Sequence, residues 1–300
     1  MIFPRILLIV ALSFLVSCGI NQPLSEPHED LPLTLQDLQF GTDQTLEIMT
    51  WNIEHFPKAD SSTVNYAAQI IKNLDVDIVC LQEIQSDAWF TTLDGLLDDW
   101  TGFKANSAAY DVDLAFLYKN TPQFEFVNIQ EIFTDLWWEL PRAPLMLTII
   151  WNQQTFYILN NHLKALGGSE NESRRKAACD SLNSYITQNL PDDNVIIAGD
   201  LNDRISDSPQ TNVFNIFLDQ PQNYTFTDYS IAYGPSEFWS WGNGSTHLDH
   251  IIISNELFDK NQHPDATTKT IRVDDYLDNG WTQYDNYISD HRPVALRLGE

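Results

Sequence analysis

The sequence predicts an α/β protein made of two packed sheets with helices on the outside. Three observations carry this reading. Apolar strand-like runs alternate with helical stretches over the first hundred residues, hairpin-like runs follow between residues 113 and 160, and residues 194–198 form a short, almost wholly apolar strand. The first pattern needs crossovers, the second antiparallel pairs, and the third a strand covered on both faces.

The chain opens with Arg5, an apolar stretch over 6–16, and Ser17-Cys18-Gly19. A bilayer span needs about 20 apolar residues, so this stretch has the proportions of a signal peptide instead. Leu15-Val16-Ser17-Cys18 is similar to a bacterial lipoprotein lipobox. That likeness implies a signal peptide over 1–18 and a lipidated Cys18 as the first mature residue; the alternative is an ordinary secretory signal with a chance cysteine. Either places the mature protein outside the cytoplasm. Residues 19–45 read as a tether, with 31–40 able to pack partly against the folded domain, which is expected over 46–300.

The first strand is expected over 46–51. A helix over 62–73 follows, with Val64, Ala67, Ala68, Ile70 and Ile71 at helical spacing and Ser61 or Ser62 as its N-cap. Residues 76–81 form the next strand, then a helix near 87–97. Strands over 113–118, 124–132, 145–151 and 155–160 read as antiparallel, the last two joined by Asn152-Gln153-Gln154. A helix over 172–190 stops at Pro191, and the strand over 194–198 follows. Beyond residue 211 come a short helix near 213–217 and strands over 246–254 and 294–298. Cys80 and Cys179 lie in apolar surroundings, where free cysteine packs as a small apolar residue. A bridge between them remains open.

Acids outnumber bases 42 to 16, a formal charge of −26, so the broad cationic surface of a non-specific nucleic-acid binder is missing. A local groove neutralised by metal remains compatible with DNA, and smaller phosphoesters also fit. Solubility of a secreted protein would account for the same charge.

Chemistry-bearing residues stand at the ends of the apolar runs. Thr50-Trp51-Asn52-Ile53-Glu54 and Leu81-Gln82-Glu83 come early; Asn161-His162, Gly199-Asp200-Leu201-Asn202-Asp203 and Leu248-Asp249-His250 follow; Ser289-Asp290-His291-Arg292-Pro293 comes near the C-terminus. Glu83 with Asn52 offers oxygen ligands suited to a hard divalent cation. Asp200 and Asn202, two apart, would share one side of an extended chain, the carboxylate orienting water and the amide holding a phosphoryl oxygen; an Asx-turn is the structural alternative. His162 and His291 are candidate acid and electrophile. Asp111 or, preferably, Asp113 would orient His162. Glu54 and His55 are read as loop residues and His250 as structural. Trp239 and Trp241 suit a pocket rim, whereas Trp137 and Trp138 are expected in the core.

In this order, over residues 46–298, these motifs resemble the endonuclease/exonuclease/phosphatase superfamily. The resemblance implies a four-layer α/β/β/α sandwich with its pocket at one edge of two mixed sheets. It further implies Mg²⁺, or Mn²⁺ or Ca²⁺, on Asn52 and Glu83 with Asp290 on the same side. His162, Asp200, Asn202, Asp249 and His291 would be catalytic, with Asp249 orienting His291. Arg142, in Pro141-Arg142-Ala143-Pro144, matches a phosphate-reaching element of the deoxyribonuclease branch, though an ion pair would use it equally; Lys164 would add a second contact.

The expected activity is metal-dependent phosphodiester hydrolysis by a monomeric, membrane-anchored extracytoplasmic nuclease. A sphingomyelinase-like or sugar-phosphate phosphodiesterase is the alternative. A third reading keeps the fold as a surface lipoprotein that binds without turnover.

Overall fold

In the computed structural model, which describes residues 35, 38–108 and 112–300, the apolar runs supply two six-stranded sheets. The first half of the chain holds β1 (Leu46–Phe56), α1 (Asp60–Leu74), β2 (Ile78–Ile84), α2 (Asp87–Gly95), β3 (Trp100–Lys104) and β4 (Asp113–Lys119). Next come β5 (Phe124–Glu131), β6 (Leu145–Trp151), β7 (Gln154–His162), α3 (Ser169–Asn189) and β8 (Asn194–Asp200). The remainder holds α4 (Asn215–Leu218), β9 (Tyr224–Phe226), α5 (Tyr229–Ala232), β10 (Asp249–Ser254), α6 (Phe258–Asn261), β11 (Thr267–Thr270), α7 (Gly280–Tyr287) and β12 (Val294–Leu298). One sheet has the order β11-β12-β1-β2-β4-β3 and the other β5-β6-β7-β8-β10-β9. Each is mixed: β1 with β2 and β7 with β8 are parallel, and the other pairs antiparallel.

Alternation along the strands builds the layers. Ile48, Ile78, Cys80 and Phe116 of one sheet meet Leu147, Ile158, Ile196 and Ile251 of the other in a central core. Met49, Trp51, Val79 and Leu117 face the opposite way, against α1 and α7 residues such as Ile70, Ile71 and Tyr284. On the far side Leu159, Val195 and Ile197 pack on Ala178, Cys179 and Leu182 of α3. Four layers result. Burial on both faces explains why β1, β2 and β8 read as continuous apolar runs. One polar bridge crosses the central core: Asn160 donates to the carbonyls of Leu81 and Ala115 and accepts from the Gln82 amide at 2.7 Å.

Two local expectations are corrected. Ala59, not Ser61 or Ser62, holds the N-cap of α1, and its N–H donates to Thr63 Oγ1 instead of a serine capping the helix. Trp137 and Trp138 are 74% and 39% exposed; the turn between β5 and β6 carries them outward. Leu35, Leu38 and Phe40 join the first core cluster, in keeping with the expected partial packing of 31–40. Cys80 and Cys179 are free and buried in different clusters. The expected signal peptide, Cys18 and most of the tether lie outside the described residues, among which no helix is long and apolar enough to cross a membrane.

Candidate active site

Strand register assembles the site. In the second sheet His162 of β7 pairs with Asp200 of β8, which pairs in turn with Asp249 of β10. This alignment depends on Gly199: a Cβ there would lie 2.0 Å from the Asn161 carbonyl oxygen, so any larger residue would push β8 off β7. In the first sheet Asn52 of β1 pairs with Gln82 of β2, one residue before Glu83. The two rows meet: the Asn52 amide donates to Glu83 Oε1 at 3.1 Å and to Asp200 Oδ2 at 3.0 Å.

These groups open into a cavity of about 400 Å³ lined by Asn52, Glu54, His55, Glu83, His162, Asp200, Asn202, Trp241, Asp290 and His291, with 165–167 and Leu248 completing the wall. Glu54 and His55 are therefore not outlying loop residues. A bulge between Asn52 and Phe56 breaks the β1–β2 register and swings both toward the cavity, with φ of 36° and 48°. Glu83 and Asn202 also have positive φ, 66° and 54°. Four strained non-glycine residues thus share one wall.

Glu54 accepts from the Asp290 N–H at 2.9 Å and pairs with Lys58, while Glu83 accepts from the His55 N–H. Asn202 reaches the cavity by a turn and not by extended alternation. Its N–H donates to Asp200 Oδ1 at 3.0 Å and its side chain donates to the Leu163 carbonyl. The Asx-type turn and the cavity position coexist.

His291 Nδ1 lies 2.8 Å from Asp249 Oδ2, and Nε2 faces Asp200 and Asp290 at 3.8 Å. Burial disfavours its charge, but Asp249 and Asp200 outweigh this and push His291 up to about 10. Burial pushes Asp200 up to about 7, with His291 opposing and Asp249 adding to the rise. His162 shows the reverse behaviour: burial, then Arg142 and His291, hold it well below the usual imidazole range, so it is neutral. Its Nε2 lies 3.5 Å from Asp200 Oδ2. The expected Asp113 partner is elsewhere, held by Lys104 at 2.6 Å and by the Ala108 N–H, because β4 lies in the first sheet. His162 Nδ1 has no hydrogen-bond partner among the described residues. Asp111 lies outside them.

Among the described residues, two acid–histidine groups come close enough to hold a cation: Asp200 with Asp249 and His291, and buried Asp228 with His247 and His250. In the first, both His291 nitrogens face carboxylates, so the ring is an imidazolium and repels a cation. In the second, His250 lies between Asp228 at 2.6 Å and the Asp203 carbonyl at 2.9 Å. It is an imidazolium in a structural ion pair. The oxygen-rich wall suits a divalent ion better: Glu83 and Asp290 line the cavity, and neither pairs with Lys or Arg among the described residues. Asn52 belongs to the same wall. Asp290 Oδ2 accepts from Trp241 Nε1 at 2.9 Å, placing Trp241 at the rim.

Arg142 and Lys164 do not line the cavity; they turn onto the carbonyls of Leu163 and Ala165 beside it. Arg142 makes no ion pair among the described residues, and Glu83 and Asp200 are near enough to favour its charge against burial.

The sequence matches the Endonuclease/Exonuclease/phosphatase family over residues 49–291. The chain belongs to this family. It is a hydrolase of that superfamily, whose enzymes use divalent metals. No curated protein matches the sequence. Among solved structures it is similar to D. rerio TDP2 complexed with single strand DNA product, at TM-score 0.64 and 17% identity over 86% of this chain and 100% of that one. The human Nocturnin catalytic domain with bound sulfate anion gives TM-score 0.60 and 19% identity over 85% and 94%. An endonuclease/exonuclease/phosphatase family protein from Bacteroides thetaiotaomicron gives 0.59 and 14% over 85% and 97%.

Proposed function

We propose that this protein hydrolyses phosphodiester bonds by attack of an activated water, as an Mg²⁺-dependent nuclease held outside the cytoplasm by lipidated Cys18. One observation carries the chemistry: Asp200, made basic by burial, sits between neutral His162 and the Asp249-held imidazolium of His291, beside Glu83 and Asp290, which pair with no Lys or Arg among the described residues. Asp200 takes the proton of the attacking water. His291 offers Nε2–H to an oxygen gaining charge, while Asp249 keeps the ring oriented and protonated. Neutral His162 presents Nε2 on the other side of Asp200, and the Asn202 amide donates to a phosphoryl oxygen. Glu83 and Asp290, with Asn52, would hold the cation, which when bound stabilises charge developing on the phosphate oxygens. Mn²⁺ or Ca²⁺ suits the same oxygen donors.

A nucleic-acid substrate is supported by the similarity to a TDP2 bound to single-strand DNA product and by Trp241 at the rim. The charge of −26 favours the second reading, a phospholipid or sugar-phosphate phosphodiesterase. The test is hydrolysis of DNA, sphingomyelin and an inositol phosphate, each with Mg²⁺ and with EDTA, beside Asp200→Ala and His291→Ala. EDTA-sensitive cleavage lost in both variants is expected; cleavage that survives EDTA or both substitutions overturns the assignment.

A further inference from the structure

A cationic ledge lies beside the cavity. Arg142, Lys164 and Arg174 make no ion pair among the described residues, although acids outnumber bases 42 to 16 in the chain. Elsewhere Arg175, Arg204, Arg272 and Arg292 each hold a carboxylate. Arg175, next to Arg174 in the chain, donates to the Lys164 carbonyl at 2.7 Å, and burial, then Arg174 and Arg142, lower Lys164, with Glu170 opposing. Arg174 also lies over the ring of Trp138, 5.6 Å from its centroid, and its Nε donates to the Trp138 carbonyl. An exposed indole is thereby held in one place.

The ledge is continuous with the cavity. Arg142 and buried Arg175 grip the carbonyls of Leu163, Lys164 and Leu166, and Leu166 lines the cavity wall. Cations held there with no ion pair among the described residues are preorganised for an anion, and a fixed indole offers a stacking face.

We propose that Lys164, Arg174 and the Trp138 ring form a second subsite, which takes the phosphate and base of a nucleotide flanking the scissile diester. This rests on the phosphodiesterase reading, and it narrows the substrate to a nucleic-acid strand. Arg142, held on the Leu163 carbonyl, feels both Asp200 and Arg174.

The test is binding of a fluorescein-labelled oligothymidylate to the full-length protein in EDTA, by anisotropy, over a salt series. In Lys164→Gln/Arg174→Gln, Kd should rise about tenfold at low salt and the log–log salt slope should shrink by about one per lost phosphate contact. Trp138→Ala should weaken binding at least about fivefold, and Trp138→Phe should restore most of it. Wild-type affinity in these variants overturns the subsite, even if the protein cleaves DNA. No oligonucleotide binding by wild type, or preferential binding to phosphatidylserine vesicles, overturns it too. Binding lost in the variants while wild type cleaves no diester with Mg²⁺ or Mn²⁺ upholds the subsite and rejects the phosphodiesterase reading.

Discussion

Asp249 holds His291 from behind: the carboxylate oxygen is 2.8 Å from Nδ1, and both side chains are buried. In Asp249→Asn the ring loses the charge that keeps it protonated. We expect kcat to fall by about 10²–10⁴ with a smaller change in KM. Because Asp249 raises His291, its removal should move the alkaline limb of the pH–rate profile to lower pH. Steady-state kinetics on the cleaved diester, from acid to alkaline pH, checks both.

Glu83 and Asp290 face the cavity without Lys or Arg partners among the described residues. Added Mg²⁺ should therefore raise the melting temperature of the wild type, and Glu83→Gln should require at least about tenfold more Mg²⁺ for the same rise. Thermal melts over a Mg²⁺ titration read this without any assay of catalysis. Identical titrations for the two proteins would place the ion elsewhere.

Gly199 is a test of strand register. Its Cβ position is 2.0 Å from the Asn161 carbonyl oxygen, and its φ is 155°. Gly199→Ala should cost about 3 kcal/mol in urea unfolding. The variant that still folds should lose activity beyond its loss of stability, because Asp200 is the next residue.

Far from the cavity, Glu47 is fully buried beside Asp77, and burial pushes it up to about 8, with Asp77 adding to the rise. The folded chain then holds this proton more tightly than the unfolded chain, whose value is near the ordinary 4.5. Between those values stability falls as pH rises. Glu47→Gln should flatten that decline and melt higher than wild type at about pH 8. Melts at several pH values within this window decide it; parallel curves for the two proteins would exclude the proton.

Strand ends were the legible part of the site. Asn52, Glu83, His162 and Asp200 each follow an apolar run and Asp249 and His291 each precede one, and a run that starts or ends at a sheet edge delivers its flanking side chain there. The bulge that turns Glu54 and His55 inward was not legible, since neither residue breaks the strand pattern in sequence. Asp113 looked near His162 because both flank strands, but sheet membership separates them. Trp137 and Trp138 show that aromatic content alone does not report burial in a turn. β3, with Thr101 and Gly102 between its aromatics, has too little apolar alternation to be read as a strand.

The hydrogen bonds of Asn160 to Leu81, Ala115 and Gln82 act as a clamp between the sheets. Sliding one sheet past the other would strand several polar groups in an apolar interior, each at a cost of about 1–3 kcal/mol. The two rows of reacting groups therefore keep their spacing before any ligand arrives, and little reorganisation energy remains to be spent during turnover. An apolar residue in place of Asn160 would deprive the Gln82 amide and the Leu81 and Ala115 carbonyls of these partners, so it should both destabilise the fold and slow the enzyme.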